Sequence, residues 1–298
     1  MNRTDYEKTE DYKESVKILR DFVEDILDGD IENLRDFDFA TLTSYVGHII
    51  DPDMYLITQA IYIILWGDIY DLTFEKMGTW DWNNKCAFRG DTMNSFGSLF
   101  GKEDKRKGRS FAFRAKYYNA DQNPRLWEKI IKFSKSYHYM GNFIVIPNRG
   151  ILRNGINGAR AGYYNREECE GMRDYFDWFL IAISEYQNKV KEGDVHLSKF
   201  EMQLQMNPEY NPAFLPIKEW EDRFFLNPYF KDGEPVQLFR TPLEERLKVT
   251  DPEGTHPELS YYEADEYLEL LEDFLDKSEN VIEYRTHKMI ENLKRLCL

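Results

Sequence analysis

The sequence predicts an α+β fold that is predominantly α-helical, with a small β element of two or a few strands. Three observations lead there. Apolar residues recur at three-and-four spacing over long stretches of both halves of the chain. The best period-two alternation is confined to one short stretch, 111–118. Aromatic residues make up 15% of the 298 residues, ample material for a packed core despite 31% charged residues. That length sits at the upper edge of what one core serves. We therefore expect one compact unit: a main helical body over 1–190, and a proline-punctuated helical extension over 191–298 packed on it.

Taken in order, residues 5–28 place Val16, Leu19, Phe22, Val23, Ile26 and Leu27 on one helical face, and Gly29 suits the position just past a helix end. A second helix is expected near 40–50. Asp51-Pro52 punctuates it, and Pro52 or Asp53 opens an apolar helix through Trp66 toward Tyr70. Asp91 is a candidate cap for a short helix carrying Met93, Phe96, Leu99 and Phe100. Residues 111–118 and 143–146 read as two short strands that could pair. Between them, Asn123 caps a helix with Pro124 at its first position, running to about Ser136. Asn165 and Glu168 form a capping box for a long helix that Gly193 ends. Ser260 and Glu263 cap a last helical region to Leu296, with Lys277-Ser278 as a candidate break.

No basic n-region followed by an apolar run opens the chain, so no secretory signal is expected. The apolar stretch Met54–Trp66 falls short of the roughly 20 residues a bilayer span needs. The three cysteines, Cys86, Cys169 and Cys297, are scattered and form no CxxC, which fits a reducing cytoplasm and no structural zinc. The histidines form no HExxH, and no GxSxG, P-loop or GxGxxG appears. No motif names a cofactor, and no metal site is expected. Glu170, Asp174 and Asp177 share one side of the long helix without a histidine, which reads as a solvated acidic face.

Charge is segregated. The net charge is −15, yet residues 85–166 carry 17 Lys and Arg against 5 Asp and Glu, leaving −27 for the remainder. The acidic whole opposes non-specific binding to nucleic acid or membranes. The basic middle could hold phosphates, or the acidic flanks could fold over it and neutralise it. Within Asn148–Arg166, Arg149, Arg153 and Arg160 lie among four glycines with no acid as far as Arg166. Glycine lets a backbone approach an anion closely, and arginine forks grip phosphate through paired hydrogen bonds.

Two segments carry a resemblance. They are Arg89-Gly90-Asp91-Thr92-Met93-Asn94-Ser95-Phe96, and Tyr137-His138-Tyr139-Met140-Gly141-Asn142-Phe143, with Pro147-Asn148 and Asn157 through Arg160 following. Together they resemble an uncharacterised bacterial family, a domain of unknown function found in intestinal Firmicutes, over about residues 80–190. The resemblance implies a bacterial cytoplasmic protein and no particular chemistry.

The expected function is binding of a phosphate-bearing ligand, a nucleotide or nucleic acid, through the basic middle. Arg149, Arg153, Arg160 and Asn142 are the candidate ligand-binding residues. Should the protein act on a phosphate ester, His138 is the candidate acid or base and Asp91 the carboxylate that would orient it. The bland reading makes Asp91 a helix cap and His138 a backbone tie. The rival function is a non-catalytic module that uses segregated charge for a protein partner or for self-association.

Overall fold

The computed structural model describes residues 1–42, 52, 55–77, 90–93, 119–146, 176–193, 196–197, 201–202, 205, 215–239 and 264–297. These residues are mainly helical, with one small two-stranded sheet. After a single turn, α1 (Arg3–Tyr6), the chain forms α2 (Glu10–Ile26). Thr9 caps α2 by accepting the Tyr12 N–H at 3.3 Å. Tyr12, Ser15, Leu19 and Val23 fall at three-and-four spacing and are buried. Asp28 and Gly29 then take left-handed conformations, and the Gly29 N–H returns to the Val23 carbonyl at 2.9 Å, closing the helix end.

Helix α3 (Leu56–Tyr70) starts later than its sequence punctuation, at Leu56, and every residue from Ile57 to Asp68 is buried. A helix apolar all round must be covered all round. α2 covers one side of it and α8 (Ala264–Cys297) another. At Gly67 an added Cβ would overlap the ring of Tyr6, whose hydroxyl donates to the Leu72 carbonyl at 2.6 Å. A one-turn α4 (Phe74–Met77) follows, with the Phe74 N–H donating to Asp11 at 2.9 Å.

Helix α5 (Pro124–Ser136) begins where Asn123-Pro124 predicts, and the Asn123 side chain accepts the Leu126 N–H at 3.2 Å. α6 (Phe176–Glu192) ends at Gly193, which has φ +74°. α7 (Ile217–Arg223) leads into β1 (Phe230–Lys231) and β2 (Glu234–Pro235). Rings of α3, α6, α7 and the turn before β1 form a continuous seam: Trp66 meets Phe224, Phe224 meets Trp220, Trp220 meets Phe179, and Phe176 meets Tyr229, at 4.8–6.0 Å between centroids. The seam crosses residue 191, as does the Arg223–Asp68 ion pair at 2.7 Å.

Three expectations need correction. The described sheet lies at 230–235, a region read as helical pieces. Its two-residue loop is Asp232-Gly233, both at positive φ, the chemistry a tight hairpin demands. Residues 143–146 do not form a strand: Phe143 makes a single bridge to Asp91, and Ile144, Val145 and Ile146 continue as buried chain without regular structure. α8 runs its 34 residues without a break at Lys277-Ser278, because Ser278 is fully buried on the same inward face as Leu275 and Ile282. Of the expected helix near 40–50 only residues 40–42 are described, within and just after a single 3-10 turn, Phe39–Thr41; the strand 111–118, the loop 102–109 and the capping box Asn165–Glu168 lie outside the described residues.

Candidate functional site

The conspicuous polar construction is the corner after α5, Tyr137–Phe143, whose turn Met140–Asn142 packs on α8. Gly141 is required here. An added Cβ would overlap the Ile282 carbonyl and the Thr286 hydroxyl of α8. That close approach lets the Gly141 N–H donate to Thr286 Oγ1 at 3.0 Å. Arg285, fully buried, donates to the carbonyls of Gly141, Phe143 (2.9 Å) and Phe224 (3.2 Å). Among the described residues no carboxylate lies within ion-pair distance of it. Burial therefore pushes the guanidinium down to about 10, with Tyr229, Tyr62 and Asp91 opposing the shift.

Asn142 stitches the first motif to the second. Its Oδ1 accepts from Thr92 Oγ1 and from the Met93 N–H, both at 2.9 Å, and its Nδ2 donates to the Tyr137 carbonyl at 2.9 Å. The Asn142 carbonyl takes the Thr92 N–H at 2.7 Å, and the Ile144 N–H reaches Gly90 at 2.8 Å. Asn142 is 0% exposed, so its side chain acts inside the corner.

His138 and Asp91 both lie at this corner. Asp91 Oδ2 accepts from the Tyr137 hydroxyl at 3.2 Å. The carboxylate recorded beside the imidazole is Asp38, 3.9 Å from His138 Nδ1, a residue the sequence reading passed over. The His138 carbonyl accepts the Phe39 N–H at 3.2 Å, so part of its role is the backbone tie. Residues 91–93 form a bridge and a turn, and the helix expected to follow Asp91 lies outside the described residues. Arg149, Arg153 and Arg160 also lie outside them.

The basic middle is partly neutralised. Along α5, Lys129 pairs with Glu272 (2.8 Å) and Asp276 (2.7 Å), and Lys132 with Glu279 (2.8 Å), while Arg125 stands 3.8 Å from Glu272. The two helices thus match charge at parallel spacing beside an apolar contact, Phe133 on Phe274 at 5.4 Å. Asp177, expected on a solvated acidic face, is instead fully buried and accepts the N–H groups of Leu238 and Phe239 at 3.0 and 3.1 Å. Among the described residues no group of three or more His, Cys, Asp or Glu could hold a metal. No helix among them is long and apolar enough to cross a membrane.

The corner's key residue, Arg285, was legible as an anomaly. It falls in phase with Ile282 and Met289 on the inward stripe of α8, where an arginine must find buried acceptors. Fold and corner together define a predominantly helical α+β protein with a buried arginine locking a glycine corner. Comparison with protein-family models, with curated proteins and with solved structures finds no match.

Proposed function

We propose that this chain binds a phosphate-bearing ligand, a nucleotide or a nucleic acid, through its basic central segment. The observation that carries the reading is the fixed exit of that segment. Phe143–Ile146 is buried, with Ile144 bonded to Gly90 and Phe143 to Met140 and Arg285, so the chain is held in place up to Ile146. Fixing one end of a ligand-binding segment lowers the conformational entropy lost on binding. Three of the segment's seventeen cations, Arg125, Lys129 and Lys132, lie beside α8 carboxylates. Arg149, Arg153 and Arg160 are the proposed phosphate contacts. Replacing all three by alanine should abolish detectable binding of a labelled nucleotide or single-stranded oligonucleotide at physiological salt, leaving only weak binding at low salt, and leave the melting temperature nearly unchanged. Unfolding of the triple variant would make the arginines structural and end the proposal.

The second reading, an interaction module with segregated charge, draws on the α5–α8 match, which a second copy or a partner could reproduce between chains. It predicts association at low salt that light scattering shows dissolving at high salt. A monodisperse monomer throughout the series would remove it.

A further inference from the structure

A groove of about 430 Å³ runs beside α8, lined by Asn280, Glu283, Tyr284 and His287 and walled by Arg35 from the turn Ile31–Asp36. That volume falls within the roughly 300–1,000 Å³ range of small-molecule sites. Its chemistry follows from which groups are already engaged. Arg35 is bonded to Glu32 at 3.1 Å. His287 Nε2 faces Glu291 at 3.1 Å, and Lys288 is bonded to the same carboxylate at 2.8 Å. Lys132, the other cation in the field of Glu283, is bonded to Glu279. The Tyr284 hydroxyl donates to Asn227 Oδ1 at 2.6 Å, and Asn227 in turn donates to Glu221 at 3.1 Å.

What is left over includes hydrogen-bond acceptors. Glu283 and Asn280 have no hydrogen-bond or ion-pair partner among the described residues. The Tyr284 oxygen, its proton given to Asn227, can act in the groove as an acceptor. Each nearby cation has a carboxylate partner, Glu32 being shared by Arg35 and Lys294 and Glu291 by His287 and Lys288, whereas Glu283 has no ion-pair partner among the described residues. Tyr284 feels the same imbalance: burial raises its pKa, Lys288 opposes, and Glu221, Glu291 and Asp222 add to the rise. A ring face, a carboxylate and an amide oxygen around one groove suit a compact N–H donor with a positive charge.

We propose that this groove binds an alkylammonium group, carried either by a small polyamine or by a lysine side chain of a peptide. The site is independent of the phosphate reading. Glu283 takes the ammonium, the Asn280 carbonyl and Tyr284 oxygen accept its remaining N–H groups, and the Tyr284 ring covers the methylene stem. Affinity is modest, because the groove is open to water.

The test is a titration at low salt, followed by amide and side-chain NMR shifts, with 1,4-diaminobutane, a linear triamine, and N-acetyl-lysine amide as probes. Shifts should centre on Asn280, Glu283, Tyr284 and His287. Glu283→Gln should weaken binding roughly tenfold, the loss expected for one charge-assisted bond. Asp21→Asn, an exposed acid on α2, should leave it unchanged. Preference for the amines identifies a polyamine, and preference for the lysine amide identifies a peptide side chain. Equal loss in both variants would mean diffuse attraction to an acidic surface and would overturn the site, as would the absence of shifts in the groove.

Discussion

At the scale of single residues, Gly141 and Arg285 show how a buried corner can be fixed without a salt bridge. Below its shifted value of about 10, the Arg285 charge counts against folding, because burial depresses the pKa of the cation and the benefit returns only as pH rises past that value. Its retention therefore rests on its bonds to main-chain carbonyls. Gly141→Ala should destabilise by the upper end of the roughly 1–3 kcal/mol typical of overpacking, since the atoms in the way are the backbone of α8 and Thr286. Urea denaturation reads this directly, and a change within experimental error would mean the corner can shift aside. Cys297 offers a second check. Burial pushes its thiol up to about 11, so the native protein should react slowly with a thiol reagent at pH 8 in a Cys86→Ser/Cys169→Ser background. The sign is opposite to that of Arg285: the stability this neutral thiol contributes is present below its ordinary value of 9 and is lost as pH rises through about 11. Rapid native-state labelling would place the thiol at the surface. The sequence marked both positions unequally: Gly141 lay inside a motif, whereas Arg285 was visible only as a charge in an apolar phase.

At the scale of elements, periodicity and caps read well where a helix has one wet face. α2, α5 and α8 were visible in spacing, and Asn123-Pro124 marked the start of α5. α3 was visible only as an apolar run, because a helix buried all round has no polar phase to set its start. The hairpin at 230–235 was missed although Asp232-Gly233 signals it, since two-residue strands have too few positions for alternation to register. The α5–α8 ion pairs are partly exposed, and pairs of that kind contribute little. A double-mutant cycle on Lys129→Ala and Asp276→Ala should give a coupling of about 0.5 kcal/mol or less, shrinking with salt. A coupling of several kcal/mol would shift the weight of this interface from the Phe133–Phe274 contact to the charges.

At the scale of the whole molecule, a chain of net charge −15 holds a middle of net +12, and a helix from the acidic C-terminal part lies along one basic helix of that middle. Composition revealed the segregation but not the pairing, because charge counts carry no geometry. Whether surplus positive charge meets phosphate is the central question, and salt dependence answers it. Each phosphate neutralised on a single strand adds about 0.7 to the slope of log K against log salt. The account predicts that the wild-type protein binds a short single-stranded oligonucleotide with affinity falling steeply as salt rises. It predicts that Arg149→Ala/Arg153→Ala/Arg160→Ala flattens that slope by about 2, three contacts at that increment, with the fold intact. No binding at low salt, or an unchanged slope in the triple variant, would contradict it.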